Sequence, residues 1–134
     1  MKKIALTLLI LAGIVGCSSD DGYSYHYEIL PVATYSVPDT FDLGKTYEIK
    51  MKYLRPSTCY NYSGIYFDKY FNTRTIAIQN LVVEDPNCKP LVNDSINASF
   101  NFFVTSKETY TFKFYKGEDA NGKDLFDEVE IPVR

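Results

Sequence analysis

Apolar residues in this chain recur at every second position, and that period leaves little choice of fold. Tyr47, Ile49, Met51 and Tyr53 alternate with Glu48, Lys50 and Lys52, so an extended segment has one apolar and one charged face. Ile96, Ala98, Phe100 and Phe102 alternate with Asn97, Ser99 and Asn101, and Tyr110, Phe112 and Phe114 with Thr111, Lys113 and Tyr115. No stretch of the chain beyond residue 16 carries a sustained helical period. Aromatic residues make up 16% of the sequence, as twelve Tyr and nine Phe without Trp. With Val, Ile and Thr these are the residues that fit a pleated, half-buried surface. The expectation is an all-β domain.

Further strands are expected between the clear ones. Tyr23, Tyr25, Tyr27 and Ile29 alternate with Ser24, His26 and Glu28, and Pro31 removes a donor, which places this segment at an edge. Residues 32–37 continue the edge until Pro38-Asp39 turns the chain. Thr58 to Phe67 reads as a strand whose phase shifts. Tyr60 and Tyr62 share one parity and Ile65 and Phe67 the other, so a bulge at Ser63-Gly64 would bring both pairs to one face and leave Tyr66 pointing outward. Asp68 to Thr73 is a connection. A second phase slip is expected near Gln79-Asn80, between Ile76, Ile78 and Leu81, Val83. The last hairpin turns over Gly117 to Lys123, where Asn121-Gly122 is a strong turn signal, and Leu125, Val129, Ile131 and Val133 share a face that Phe126 breaks. The count is seven to eight short strands, an antiparallel sandwich.

The first sixteen residues differ from the rest. Lys2 and Lys3 precede a mostly apolar run from Ile4 to Val15, too short for a bilayer span of roughly 20 residues and suited to a secretory leader. Ile14-Val15-Gly16-Cys17 resembles the lipobox of bacterial lipoproteins. That resemblance implies a signal peptide over 1–16, a diacylglyceryl and N-acyl anchor on Cys17, a tether over 17–22 and a single domain over 23–134. Two or three acyl chains, at roughly 0.8 kcal/mol per buried CH2, give lasting membrane attachment. Asp20-Asp21 resembles the signal that carries Bacteroidota lipoproteins to the outer face of the outer membrane, so the implied location is the cell envelope, exposed at the surface.

Cleavage removes two of fourteen cationic residues and none of the seventeen acidic ones, giving a formal charge of 12 − 17 = −5. Basic residues are few and scattered, which does not fit nucleic acid. With Cys17 acylated, Cys59 and Cys88 remain as an even pair in an exported chain, expected to form a disulfide. Unpaired thiols are the alternative. A zinc site is disfavoured because His26 is the sole histidine.

Tyr110 and Phe112, in Lys107-Glu108-Thr109-Tyr110-Thr111-Phe112, resemble the tyrosine corner of immunoglobulin-like domains, and Val37-Pro38 through Thr46-Tyr47 resembles their A′ to B passage. The resemblance implies an immunoglobulin-like sandwich whose disulfide joins strand C to the segment before strand E. It carries no function with it. The whole is similar to small surface lipoproteins of Bacteroidota.

Candidate chemistry is sparse. Ser-His-acid hydrolysis needs a base beside the nucleophile, and His26 lies on a polar strand face with no Gly-x-Ser-x-Gly elbow around any serine. Glu118 to Asp124 offers oxygens for calcium, but its order departs from the EF-hand loop and Lys123 opposes the charge, so a polar hairpin tip is preferred. No cofactor is implied. Asp94-Ser95-Ile96 resembles the O-glycosylation sequon of exported Bacteroidota proteins, at Ser95. Among the dense aromatics, Tyr66, Tyr70 and Phe71 are the outward candidates for binding a glycan or protein partner. The functional expectation is a lipid-anchored envelope module that binds or supports without catalysis. A protease-inhibitor-like lipoprotein is the alternative.

Overall fold

The computed structural model describes residues 22–134. It has no helix among them and eight strands in two sheets, an open β-sandwich as expected. The strands are β1 (Tyr25–Leu30), β2 (Thr34–Ser36), β3 (Thr46–Leu54), β4 (Tyr60–Tyr70), β5 (Thr73–Val83), β6 (Ser95–Phe103), β7 (Tyr110–Glu118) and β8 (Asp124–Ile131). One sheet runs β2-β3-β6, and the other holds β1, β4, β5, β7 and β8. The signal peptide and Cys17 lie outside the described residues.

The alternation that marked β3, β6 and β7 sets the core. Ile49, Met51 and Tyr53 from one sheet meet Ile76, Ile78, Phe112 and Phe114 from the other, all buried. Phe41 packs tilted against Tyr47, Phe102 and Phe112 with centroids 4.8 to 5.8 Å apart. After β1 the chain passes from one sheet to the other at Pro31, with the fully buried Val32 donating its amide to the Tyr115 carbonyl at 2.8 Å.

The tyrosine corner is present. Tyr110 is fully buried, and its hydroxyl accepts from the Thr105 amide at 3.2 Å and the Ser106 amide at 2.9 Å. Burial raises its pKa, but these donors and the nearby Arg74 charge outweigh burial and leave the phenol below its ordinary value.

Cys59 and Cys88 are bonded, Cα atoms 5.5 Å apart. The bond ties the start of β4 to the loop before β6, and across a separation of 29 residues it contributes roughly 3 to 4 kcal/mol on the chain-entropy model. The same loop is laced along residues 55–58 by the Arg55–Asp94 ion pair at 2.8 Å and by the Thr58 and Leu91 amides.

Three expectations change. The antiparallel pattern is broken once, because β5 and β7 pair parallel. The 68–73 connection shrinks to Phe71-Asn72, since β4 stays paired to Tyr70↔Thr73. The slip at Gln79-Asn80 does not occur. β5 runs unbroken with Arg74, Ile76, Ile78, Asn80 and Val82 inward, so polar side chains take two core places and Leu81 and Val83 face out. On β1 the tyrosines face solvent, because the core at that corner is filled by Leu30 and Val32.

Both polar inward residues carry a cost. Arg74, buried without a carboxylate partner among the described residues, donates through Nη1 to the carbonyls of Phe71 at 2.6 Å and Thr73 at 3.1 Å. Its guanidinium lies 5.2 Å from the Tyr110 ring centroid, and burial lowers its pKa. The Asn80 amide is fully buried with neither polar atom in hydrogen-bonding geometry, although the neighbouring Tyr53 phenol feels its dipole.

Candidate functional site: an aromatic trough on the five-stranded sheet

Central strand β5 turns small side chains to the outer face of its sheet at Thr73, Thr75 and Ala77. The strands around it turn large ones. Tyr66 sits opposite Ala77 and Tyr70 opposite Thr73 across the β4 pairing. On the other edge of β5, β1 pairs with residues 78–83 and β7 with residues 73–76, so the two strands part beside Ala77. Tyr27 and Ile29 approach that gap from β1, and Tyr115 with its cross-strand partner Phe126 from β7 and β8, ring centroids 5.9 Å apart.

Small residues flanked by large ones make a concavity. It holds about 500 Å³ and is lined by Tyr27, Ile29, Tyr66, Tyr115 and Phe126, with Ala77, only 2% exposed, as its floor. Thr75 supplies a hydroxyl. The charged groups free at the rim are Glu118 and Asp124, whereas the carboxylate of Glu28 is taken by the Tyr60 hydroxyl at 2.9 Å and by His26 at 3.3 Å. Glu118 and Asp124 stand directly opposite one another in the β7–β8 ladder, and neither has a cation within ion-pair distance among the described residues. Burial raises the Tyr115 pKa first, and the charges of Asp124 and Glu118 raise it further.

The expected binding residues fall on this surface in two places. Tyr66, 43% exposed, walls the trough. Tyr70 and Phe71, 69% and 79% exposed, form the tip of the β4–β5 hairpin, rings edge to face at 4.7 Å. Phe71 adopts a φ of 50°, which costs a non-glycine residue roughly 1 to 2 kcal/mol. The turn is held there from both sides. Arg74 bonds the Phe71 carbonyl, and the Asn72 amide donates to Ser106 Oγ and the carbonyls of Glu108 and Thr109 at 3.1 to 3.3 Å.

Tyr60 and Tyr62 take the inward parity that the bulge between Tyr62 and Gly64 requires. Tyr60 packs on the core and donates to Glu28 at 2.9 Å, while Tyr62 stays half-exposed beside Tyr53, ring centroids 6.2 Å apart. His26 is exposed between Glu28 and Glu84, each at 3.3 Å. In the β7–β8 turn, Asp119 Oδ1 accepts from the amides of Asn121 and Lys123, so that carboxylate holds the hairpin tip. Ser95 is exposed at the start of β6.

Tyr27, Tyr115, Phe126 and Ala77 were not singled out from the sequence. One signal was readable, the odd parity of Phe126, which places it outward beside Tyr115. Comparison with protein-family models, curated proteins and solved structures finds no match for this chain.

Proposed function

We propose that this chain is a lipid-anchored recognition module of a bacterial cell envelope, one that binds a partner through the aromatic trough and carries out no chemistry on it. The trough is the observation that supports this reading. Rigid aromatic faces on paired strands offer large contact area at small cost in side-chain entropy. A floor with no bulk leaves room for an inserted group.

The fold also gives the surface a direction. The Ser24 carbonyl accepts from the Glu84 amide at 2.7 Å, at the end of β5 opposite the Phe71 tip. Eleven residues of β5 separate the two ends, roughly 35 Å at about 3.3 Å per residue. Anchored through Cys17, the module turns its tether end to the lipid and its hairpin tip away from it.

The test has two arms. Radiolabelled palmitate should enter the wild-type chain and not Cys17→Ala. Immobilised mature chain should retain the same envelope component in repeated pull-downs, and a Tyr66→Ala/Phe126→Ala double variant, with its melting temperature preserved, should release it. Equal retention by wild type and double variant would refute the trough as the binding surface. Failure of the label to enter would refute the anchor.

A further inference from the structure

We infer that the trough accepts an organic cation, the ammonium or guanidinium group of a lysine or arginine side chain on a polypeptide partner. The inference rests on the recognition reading and narrows its ligand class. Three features of the lining carry it.

First, the polarity of the lining is one-sided. The charged groups free at the rim, Glu118 and Asp124, are both carboxylates, and the other polar side chains of the lining, apart from Glu28, which Tyr60 and His26 hold, are the hydroxyls of Tyr27, Tyr66, Tyr115 and Thr75. No lysine, arginine, histidine or side-chain amide lines it. A neutral sugar wants donors as well as acceptors around its hydroxyls, and here the side-chain donors of the lining are hydroxyls alone. A cation is itself all donor.

Second, Glu118 and Asp124 face each other in register, an arrangement of like charges that weakens a ladder. Neither is relieved by a cation of the chain. A positive group seated between them and the rings removes that repulsion, so the site gains more from a cation than from a neutral group of equal size.

Third, the walls are aromatic side chains, whose ring faces attract positive charge through their quadrupoles, and tyrosine and phenylalanine suffice for this without tryptophan. The chain already uses this surface so. The Lys113 ammonium lies 4.5 Å from the Phe126 centroid while pairing with Glu128 at 3.8 Å. A volume of about 500 Å³ admits one long cationic side chain and its flanking backbone, not a folded domain.

The experiment uses the mature chain and three probes: short blocked peptides with a central lysine or arginine, the same peptide with norleucine, and a neutral disaccharide. Binding is followed by aromatic NMR shifts. The cationic peptides should shift the rings of Tyr27, Tyr66, Tyr115 and Phe126, with affinity falling as salt is raised. Norleucine and the sugar should not. Glu118→Gln/Asp124→Asn should weaken binding by at least about tenfold, as loss of charge complementarity at a partly desolvated site does. Its stability should be equal or higher, because the cross-strand repulsion is gone. Tyr66→Phe should keep binding and Tyr66→Ala lose it.

An equal response to norleucine, or binding undiminished in the charge-neutral variant, overturns the inference. So does sugar binding without peptide binding, which would leave the recognition reading standing. Silence from all probes overturns the inference, and the envelope pull-down then decides whether the recognition reading falls with it.

Discussion

Replacing Tyr110 by Phe removes one oxygen from the interior and nothing else. The ring keeps its edge-to-face packing on Phe102 at 5.1 Å and on Phe41 at 5.9 Å, so the packing contribution cancels between the two proteins. What is lost is the acceptor for two backbone amides. A net hydrogen bond contributes about 0.5 to 1.5 kcal/mol, and a donor left short of a partner costs about 1 to 3. Thr105 is exposed and its amide can turn to water, whereas Ser106 is half-buried and its amide cannot do so as freely. The expected loss is therefore about 2 kcal/mol, mostly from Ser106. For roughly 110 ordered residues the unfolding entropy makes each kcal/mol about 4 °C, so the melting temperature should fall by about 8 °C. Urea unfolding followed by far-UV circular dichroism, with an unchanged denaturant slope, measures the free energy directly. Hydrogen exchange at Ser106 should quicken more than at Thr111, whose amide donates to Asn72. A loss below about 0.5 kcal/mol would refute the claim that this hydroxyl fastens the 105–109 loop.

Two further outcomes are expected. Asn80→Val replaces a buried, unpartnered amide by an apolar group suited to a strand and should stabilise the domain by about 1 kcal/mol in the same urea assay; a loss of stability would mean the amide is in fact satisfied. Stability should also fall as pH rises from about 10 toward 12. Tyr35 is pushed up to about 12, by burial first and then by its bond to Asp127, and Tyr53, Tyr60, Tyr62 and Tyr115 are raised as well, chiefly by burial. These phenols hold their protons in the folded chain above the pH at which the unfolded chain loses them, so unfolding releases protons and alkali favours it. Tyr110, lowered, opposes this alone. Urea midpoints constant across that range would contradict the sign.

The legible parts of the fold are those where one local pattern met no competitor. β6 runs over Ser95–Phe103 as its alternation states, and the bulge at Ser63-Gly64 was readable because two apolar pairs of opposite parity demanded it. β5 was obscured by its own core. Arg74 takes an inward place to hold the Phe71 turn, and nothing in the structure explains the inward place of Asn80. β1 was legible as an edge strand, although its tyrosine stripe alternates like a buried face while the sandwich closes around Leu30 instead. Of the trough only two walls, Tyr66 and Phe126, left a sign in the sequence; their convergence did not. The trough exists because β1 and β7 share one edge of β5, and a parallel neighbour leaves no mark in a sequence.

That shared edge also decides how the molecule carries a load. A pull applied at the start of β1 and directed away from the Phe71 tip runs along the axis of that strand, whose six residues are paired side by side with β5. Strands drawn lengthwise must break their rungs together, whereas strands opened from one end lose them singly. With the proposed anchor in place, the first strand would take that load in shear, the stronger of the two geometries.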